Sequence, residues 1–324
     1  MIIVQTPLRI SFFGGGTDFP TYFQAEGGAV LSTAINKYIF VIVKKRYDDK
    51  LRISYTRTEM VDRVDEINHE LIRQSLNMTG ITKGVEIITM GDIPAGTGLG
   101  SSSTVTVGAL HAMHAYQNRW VPASQLASEA CQIEVDILGK PIGYQDQYIA
   151  AFGGLRFIEF RRDGQITVDN VAVKAEILKR LSEKLLLFYT GVTRTADEIL
   201  VDQKEKIGQN GDILRRLKEM AFVARSALIA GELDRIGDLL DESWMLKKQL
   251  AKGISNGLLE SSYTAARQAG ALGGKVTGAG GGGFLLLYTP LEKRESVRAA
   301  LKHLQELPFQ LEPDGTKVVF NYRY

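Results

Sequence analysis

Between Asp92 and Ser103 the chain reads Asp-Ile-Pro-Ala-Gly-Thr-Gly-Leu-Gly-Ser-Ser-Ser, three glycines spaced by two and then three hydroxyls. A loop of this kind, after a strand and opening a helix, offers backbone amides and a helix N-terminus to phosphates, and a serine hydroxyl to a cation. A serine-capped helix behind a mobile turn uses the same residues. A Gly-x-x-x-x-Gly-Lys-Ser/Thr loop is absent: the near miss, Gly274-Lys275, has Ala269 five positions before Gly274 and Val276 after the lysine. The protein-kinase signatures are absent as well. Upstream, Pro7-Leu-Arg-Ile-Ser-Phe-Phe-Gly-Gly-Gly-Thr-Asp18 sets a guanidinium, Arg9, on one strand and a carboxylate, Asp18, past a three-glycine turn. That arrangement suits hydroxyl recognition by Asp18 and charge work by Arg9; a tight turn whose Asp bonds its own backbone fits equally. A third run, Gly273-Gly-Lys-Val-Thr-Gly-Ala-Gly-Gly-Gly-Gly283, precedes an apolar strand. Four consecutive glycines are costly in conformational entropy, which predicts close backbone approach to a ligand or partner, with a flexible hinge as the other reading. Glu134 and Asp146 lie 12 residues apart, with Glu129 and Asp136 nearby. Carboxylates at such spacings are most often simply solvated. His111 and His114 share a helical face but lack a third ligand for a metal site.

The elements around these residues must hold them in place. Glycine makes up 33 of 324 residues, above the usual ~7%, and the three runs, the Asp92 run counted from Gly91, hold 14 of the 33. Residues 2–4, 8–13, 29–35, 38–43 and 51–55 read as strands, 65–77 as a helix and 84–90 as a strand entering the second glycine run. Residues 101–117 form a helix with Val105, Ala109, Ala112 and Tyr116 on one face. A helix from Pro122 buries Leu126, Ala130, Ile133 and Ile137 and closes at Gly139. A loop then delivers Tyr144 to Gln147, before a strand over 153–158 and a hairpin turn over 161–164. The second half alternates differently: a strand over 185–189, helices over 213–230, 233–250 and 258–268, strand residues at Val276 and 284–288, a helix over 297–307 and a strand over 318–322. This order predicts an α+β layout with a domain boundary within 160–182. The 39 Lys and Arg against 37 Asp and Glu give a net charge of +2, without the footprint of a nucleic-acid binder. A single cysteine, Cys131, leaves no disulfide framework. With an apolar start broken by Gln5 and Arg9 and no long apolar run, the expectation is a soluble cytoplasmic protein with no membrane partner.

As a set, the three runs resemble the signature motifs of the GHMP kinases, the superfamily of galactokinase, homoserine kinase, mevalonate kinase and phosphomevalonate kinase. The resemblance spans nearly the whole chain. It implies a two-domain α+β fold: an ATP-binding N-terminal domain over 1–175, like the second domain of ribosomal protein S5, and a ferredoxin-like C-terminal domain over 176–324. It also implies ATP-dependent phosphorylation of a small-molecule hydroxyl with Mg²⁺. Carried over onto matching positions, Asp146 in Ile142-Gly-Tyr-Gln-Asp-Gln147 takes the base position and Arg9 that of its neighbouring arginine. Glu134 in Cys131-Gln-Ile-Glu and Ser102 take the metal positions. The ATP phosphates fall to Pro94, Gly96, Gly98, Leu99, Gly100, Ser101, Ser102 and Ser103, and the acceptor to Gly15, Gly16, Thr17, Asp18 and Gly280.

Galactokinases follow their first glycine with Glu-His, where this chain has Gly15-Gly16, which argues against galactose. The Gly-Gly-Gly-Thr-Asp-Phe-Pro version is most similar to a bacterial branch that phosphorylates the anomeric hydroxyl of D-glycero-α-D-manno-heptose 7-phosphate, giving the 1,7-bisphosphate on the way to GDP-heptose. A distal phosphate needs its own site. Thr193-Arg194, ahead of the capping box Thr195-x-x-Glu198, is the candidate, although the capping box alone explains that stretch as well. Two rivals stand beside this reading: a neutral-sugar 1-kinase of fucokinase or galactokinase type, and a non-catalytic nucleotide and sugar sensor, which should lack one of Asp146, Glu134 and Ser102. The expected assembly is a monomer or homodimer.

Overall fold

The computed structural model of the protein describes residues 1–192 and 196–322. In chain order its strands are β1 (Ile2–Phe13), β2 (Gly28–Lys45), β3 (Leu51–Ser54), β4 (Thr58–Val61), β5 (Val85–Gly91), β6 (Leu155–Phe160), β7 (Ile166–Asn170), β8 (Leu185–Tyr189), β9 (Gly273–Val276), β10 (Phe284–Tyr288), β11 (Gln305–Glu306) and β12 (Lys317–Asn321). The helices are α1 (Pro20–Glu26), α2 (Glu70–Thr79), α3 (Ser101–Tyr116), α4 (Ala123–Cys131), α5 (Gln145–Phe152), α6 (Ala175–Lys184), α7 (Ala196–Glu205), α8 (Gly211–Ala230), α9 (Leu233–Lys247), α10 (Gly257–Gln268) and α11 (Arg294–Ala300). An eight-stranded sheet runs β12-β1-β2-β5-β3-β4, with β6 beside β2 and β7 beside β6. A four-stranded antiparallel sheet runs β11-β8-β10-β9. The expected α+β layout is the one the chain adopts, and β12 comes back from the C-terminal end to pair with β1.

The two pairs of short strands expected before residue 45 are two long ones. β1 continues through Pro7 because its register against β2 shifts there, from Pro7 opposite Tyr38 to Leu8 opposite Ile35. Asn36 and Lys37 are left over on β2, and Asn36 is bonded instead to Gln310. A bulge is where a strand tolerates proline, which has no N–H to give. Leu8 to Phe13 are buried on both faces, since helices cover both sides of the central strands.

The helices carry the larger departures. α3 is buried on most sides, and Val105 and Tyr116, expected on its buried face, are among its half-covered positions; a Cβ on Gly108 would lie 2.8 Å from Thr6 Oγ1, so the helix sits directly on β1. The helix expected from Pro122 to Gly139 changes winding midway. From Gln132 to Ile137 it is a π-helix, whose wider turn shifts the inward face. Ile133 and Glu134 become fully buried, while Ile137, expected in the core, is 49% exposed. The loop expected to deliver Tyr144 to Gln147 is the start of α5. The helix expected over 297–307 ends at Ala300, because the following backbone satisfies the open edge of β8: Gln305 pairs with Tyr189, and Leu307 N–H donates to Leu187 C=O at 2.8 Å. No helix of the described residues is long and apolar enough to cross a membrane.

Candidate active site

Arg9 reaches the site from β1 because its own backbone N–H donates to Leu99 C=O at 3.0 Å, tying the strand to the glycine loop. Its Nε and Nη2 donate to Asp146 Oδ1 and Oδ2 at 2.7 and 2.6 Å, and Nη1 donates to Gly98 C=O at 2.7 Å. A bidentate fork fixes the carboxylate in plane as well as in distance. Asp146 sits in the first turn of α5, where the helix dipole favours an anion.

Around this pair the glycines have specific tasks. Gly96, Gly98 and Gly100 all have positive φ, 76°, 82° and 80°, and a Cβ on Gly100 would lie 3.1 Å from Arg9 Cγ. Gly100 is the N-cap of α3 and no side chain caps that end. The amides of Ser101, Ser102 and Ser103 are therefore open to an anion, and the serine-capped alternative does not occur. Pro94 and Gly96 are exposed and Leu99 is buried. The third run makes a close approach to this same loop: a Cβ on Gly98 would lie 2.6 Å from Thr277 O, and one on Gly283 2.3 Å from Thr97 O. Gly280 turns toward Ile254, whose carbonyl lies 2.8 Å from where its Cβ would be.

Ser102 Oγ donates to Glu134 Oε1 at 2.8 Å, and Gln147 Nε2 donates to Glu134 Oε2 at 2.7 Å. Burial pushes the Glu134 carboxyl above its ordinary range, against the pull of Ser103, Ser102 and Gln147. A hydroxyl beside a carboxylate is a hard-oxygen pair of the kind Mg²⁺ accepts when substrate phosphates complete its shell. The two residues thus fit that ion, although the described residues contain no cluster of three acidic, His or Cys side chains that could hold one alone.

Asp18 is buried behind the first glycine turn. Its Oδ1 accepts from Gly16 N–H at 2.9 Å, and its Oδ2 accepts from Gln145 Nε2 at 2.9 Å and from Gln145 N–H at 3.3 Å. The turn reading of this aspartate is met in part, but Gln145 adds a tether to α5. Burial and then the charge of Asp146 raise the Asp18 carboxyl. Gly143 is glycine because a Cβ would lie 2.0 Å from Asp18 Oδ2. Gly15 and Gly16 line a cavity of about 100 Å³ with Arg9, Asp18 and Asp146. Thr17 does not reach it: its hydroxyl donates to Gly14 and Ala29 carbonyls inside the turn. Arg194, with Thr193 and the capping-box residue Thr195, lies outside the described residues.

Residue-type reasoning missed two lysines. Lys275 Nζ donates to Phe12 C=O at 2.9 Å, and Lys247 Nζ donates to Val276 and Gly278 carbonyls at 2.9 and 2.6 Å. Both line the cavity. Burial pushes Lys275 down to about 8 and holds Lys247 well below the usual lysine range. The available signal was position: Leu233, Ile236, Leu240, Trp244 and Lys247 form one stripe of α9. A larger cleft of about 1020 Å³, between β6, α6 and residues 306–313, holds none of the expected site residues.

Known proteins resemble this chain over most of its length. Residues 64–154 match the GHMP kinases N terminal domain and residues 224–306 the GHMP kinases C terminal domain. The chain is 32% identical to D-glycero-alpha-D-manno-heptose 7-phosphate kinase of Campylobacter jejuni, over 94% of each chain. It is 27% identical to the bifunctional fucokinase/GDP-fucose pyrophosphorylase of Arabidopsis thaliana, over 94% of this chain and 31% of that protein. A crystal structure described as a D-glycero-D-manno-heptose 1-phosphate kinase from Bacteroides thetaiotaomicron superposes with a TM-score of 0.84 at 26% identity, covering 100% of both chains.

Proposed function

We propose, for a chain that belongs to the GHMP kinases, that the acceptor is D-glycero-α-D-manno-heptose 7-phosphate and that the anomeric hydroxyl is phosphorylated, giving the 1,7-bisphosphate for GDP-heptose synthesis. The chain is a sugar kinase with ATP as phosphate donor; the acceptor and the roles below are our reading. The observation that carries it is the Arg9–Asp146 fork, set between the Gly98 loop and the Gly15-Gly16 turn.

Phosphoryl transfer through a loose transition state needs in-line positioning and charge neutralisation more than covalent help. In our reading the uncapped amides of Ser101 to Ser103 receive the donor's phosphates. Ser102 and Glu134 hold Mg²⁺, which when bound neutralises phosphate charge. Asp146 orients the acceptor hydroxyl and takes its proton, on a lone pair left free beside the Arg9 bonds. Asp18, with Gln145, sets the turn that faces the sugar. The domains divide near residue 175, and the enzyme works in the cytoplasm as a monomer or homodimer.

The test is ADP release with ATP and Mg²⁺ on heptose 7-phosphate, free heptose, fucose, galactose and mevalonate. Turnover confined to the heptose phosphate is expected. Turnover on a neutral sugar alone moves the protein to the fucokinase or galactokinase side, and no turnover on any acceptor revives the sensor reading.

A further inference from the structure

Lys247 and Lys275 are buried amines that line the cavity of Arg9 and Asp146, and among the described residues neither meets a carboxylate. An ammonium carries three N–H donors. Lys247 gives two of its three to Val276 and Gly278, and Lys275 gives one to Phe12. In their ammonium forms three donors are left over at one cavity wall, and burial resists those forms until an anion is bound. Ser11 Oγ, buried on the same wall, has no hydrogen-bond partner among the described residues. Uncompensated buried charge is costly, and the neighbouring charges make it worse: Lys275 and Arg9 both disfavour charge on Lys247, and Arg9 disfavours it on Lys275, with Asp18 the one carboxylate that offsets Lys275. A dianion placed there removes the cost.

We propose that Lys247, Lys275 and Ser11 form a phosphate subsite that takes the distal phosphate of the acceptor. This rests on the reading of the acceptor as a sugar phosphate. The donor's phosphates are the other source of the same chemistry. They already have the uncapped N-terminus of α3, whereas Lys275 is anchored on Phe12, just before the glycine turn, and is offset by Asp18 within that turn.

The experiment measures KM for heptose 7-phosphate and for ATP in wild type, Lys247→Met and Lys275→Met, with a urea melt of each. KM for the sugar phosphate should rise about tenfold or more, the scale of one lost charge-assisted hydrogen bond, with KM for ATP within about twofold. A rise in KM for ATP instead assigns the lysines to the donor and overturns the proposal. Unchanged constants in both leave them as backbone tethers and overturn it too. Should a Met variant not fold, calorimetry on wild type with ADP decides: heptose 7-phosphate titrated at pH 8.5 in buffers of different ionisation heat should show proton uptake, since Lys275 lies at about 8 and the anion draws it to its charged form. Zero uptake overturns the subsite. Wild type that turns over heptose 7-phosphate with unaffected variants sinks only the subsite; wild type active on neutral sugars alone sinks the acceptor reading.

Discussion

Gln147 Nε2 donates to Glu134 Oε2 across 13 residues, and this bond ties the π-helix to the helix that carries Asp146. The two carboxylates are therefore placed relative to one another by a neutral side chain. Replacing Gln147 with Leu leaves a buried carboxylate short of a donor, which should cost about 1–3 kcal/mol of stability. It should also raise the Mg²⁺ concentration needed for half-maximal activity. Urea unfolding and a Mg²⁺ titration check both; an unchanged titration would mean that Ser102 alone positions Glu134.

Asp146→Asn keeps the shape of the side chain and removes its basicity. The expected outcome is a fall in kcat of about 10²–10⁴, the usual worth of a positioned base, with nucleotide affinity within about threefold. Calorimetric titration with ATP alongside steady-state rates separates the two. Near-normal turnover, or loss of ATP binding, would count against the base role.

The parts of the site legible in the sequence were those marked by glycine. Arg9, Asp18, Gly98 and Ser102 stand in strand-glycine-helix order, whereas Glu134 and Asp146 are grouped with them only by the motif resemblance. What composition does not encode is hydrogen-bond register. Nothing in Gln132 to Ile137 announces a π-turn, so Glu134 reads as a helix-surface residue; nothing around Pro7 says that the strand continues through a bulge. The third glycine run was legible as a close approach, but its partner, the loop at Thr97 and Gly98, is a tertiary fact. Lys247 was hidden by its residue type, since a lysine on a buried stripe is read as the stripe's end.

The π-turn itself is testable at two neighbouring positions. If Ile137 is on the surface, Ile137→Lys should change stability by less than about 0.5 kcal/mol. Ile133→Ala should cost about 2–5 kcal/mol, as for other core truncations. A straight α-helix would make the lysine the damaging change, and urea melts of both variants distinguish the windings.

Close approach and positive φ can be separated in the same way. Gly80 and Gly98 share a left-handed φ, 73° and 82°, yet a Cβ on Gly80 meets nothing within 4 Å and one on Gly98 meets Thr277 O at 2.6 Å. Gly80→Ala should cost about 1–2 kcal/mol for the conformation alone. Gly98→Ala should cost more, and should raise KM for ATP because the two glycine loops are pushed apart. Equal costs in both variants would show that the loop contact yields freely.

Glu134 gives the protein a pH dependence whose sign can be worked out. Its folded carboxyl holds a proton more tightly than the unfolded one, because burial outweighs its hydrogen bonds. The resulting stability is present below the unfolded carboxylate range and is lost as pH rises through the raised folded value; Asp18, also raised by burial, acts in the same direction. At neutral pH, without a divalent cation, the charged form of Glu134 is thus a source of instability that binding chemistry relieves. Glu134→Gln should raise Tm at pH 7.5 in metal-free buffer, lose that advantage progressively as pH falls through the raised folded value towards the ordinary carboxylate range, and abolish the extra stabilisation that Mg²⁺ and ADP give the wild type together, while turnover collapses. A Glu134→Gln variant less stable than wild type at pH 7.5 would mean that the bonds from Ser102 and Gln147 outweigh the burial of the charge, and that the site is folded around its carboxylate with no metal required.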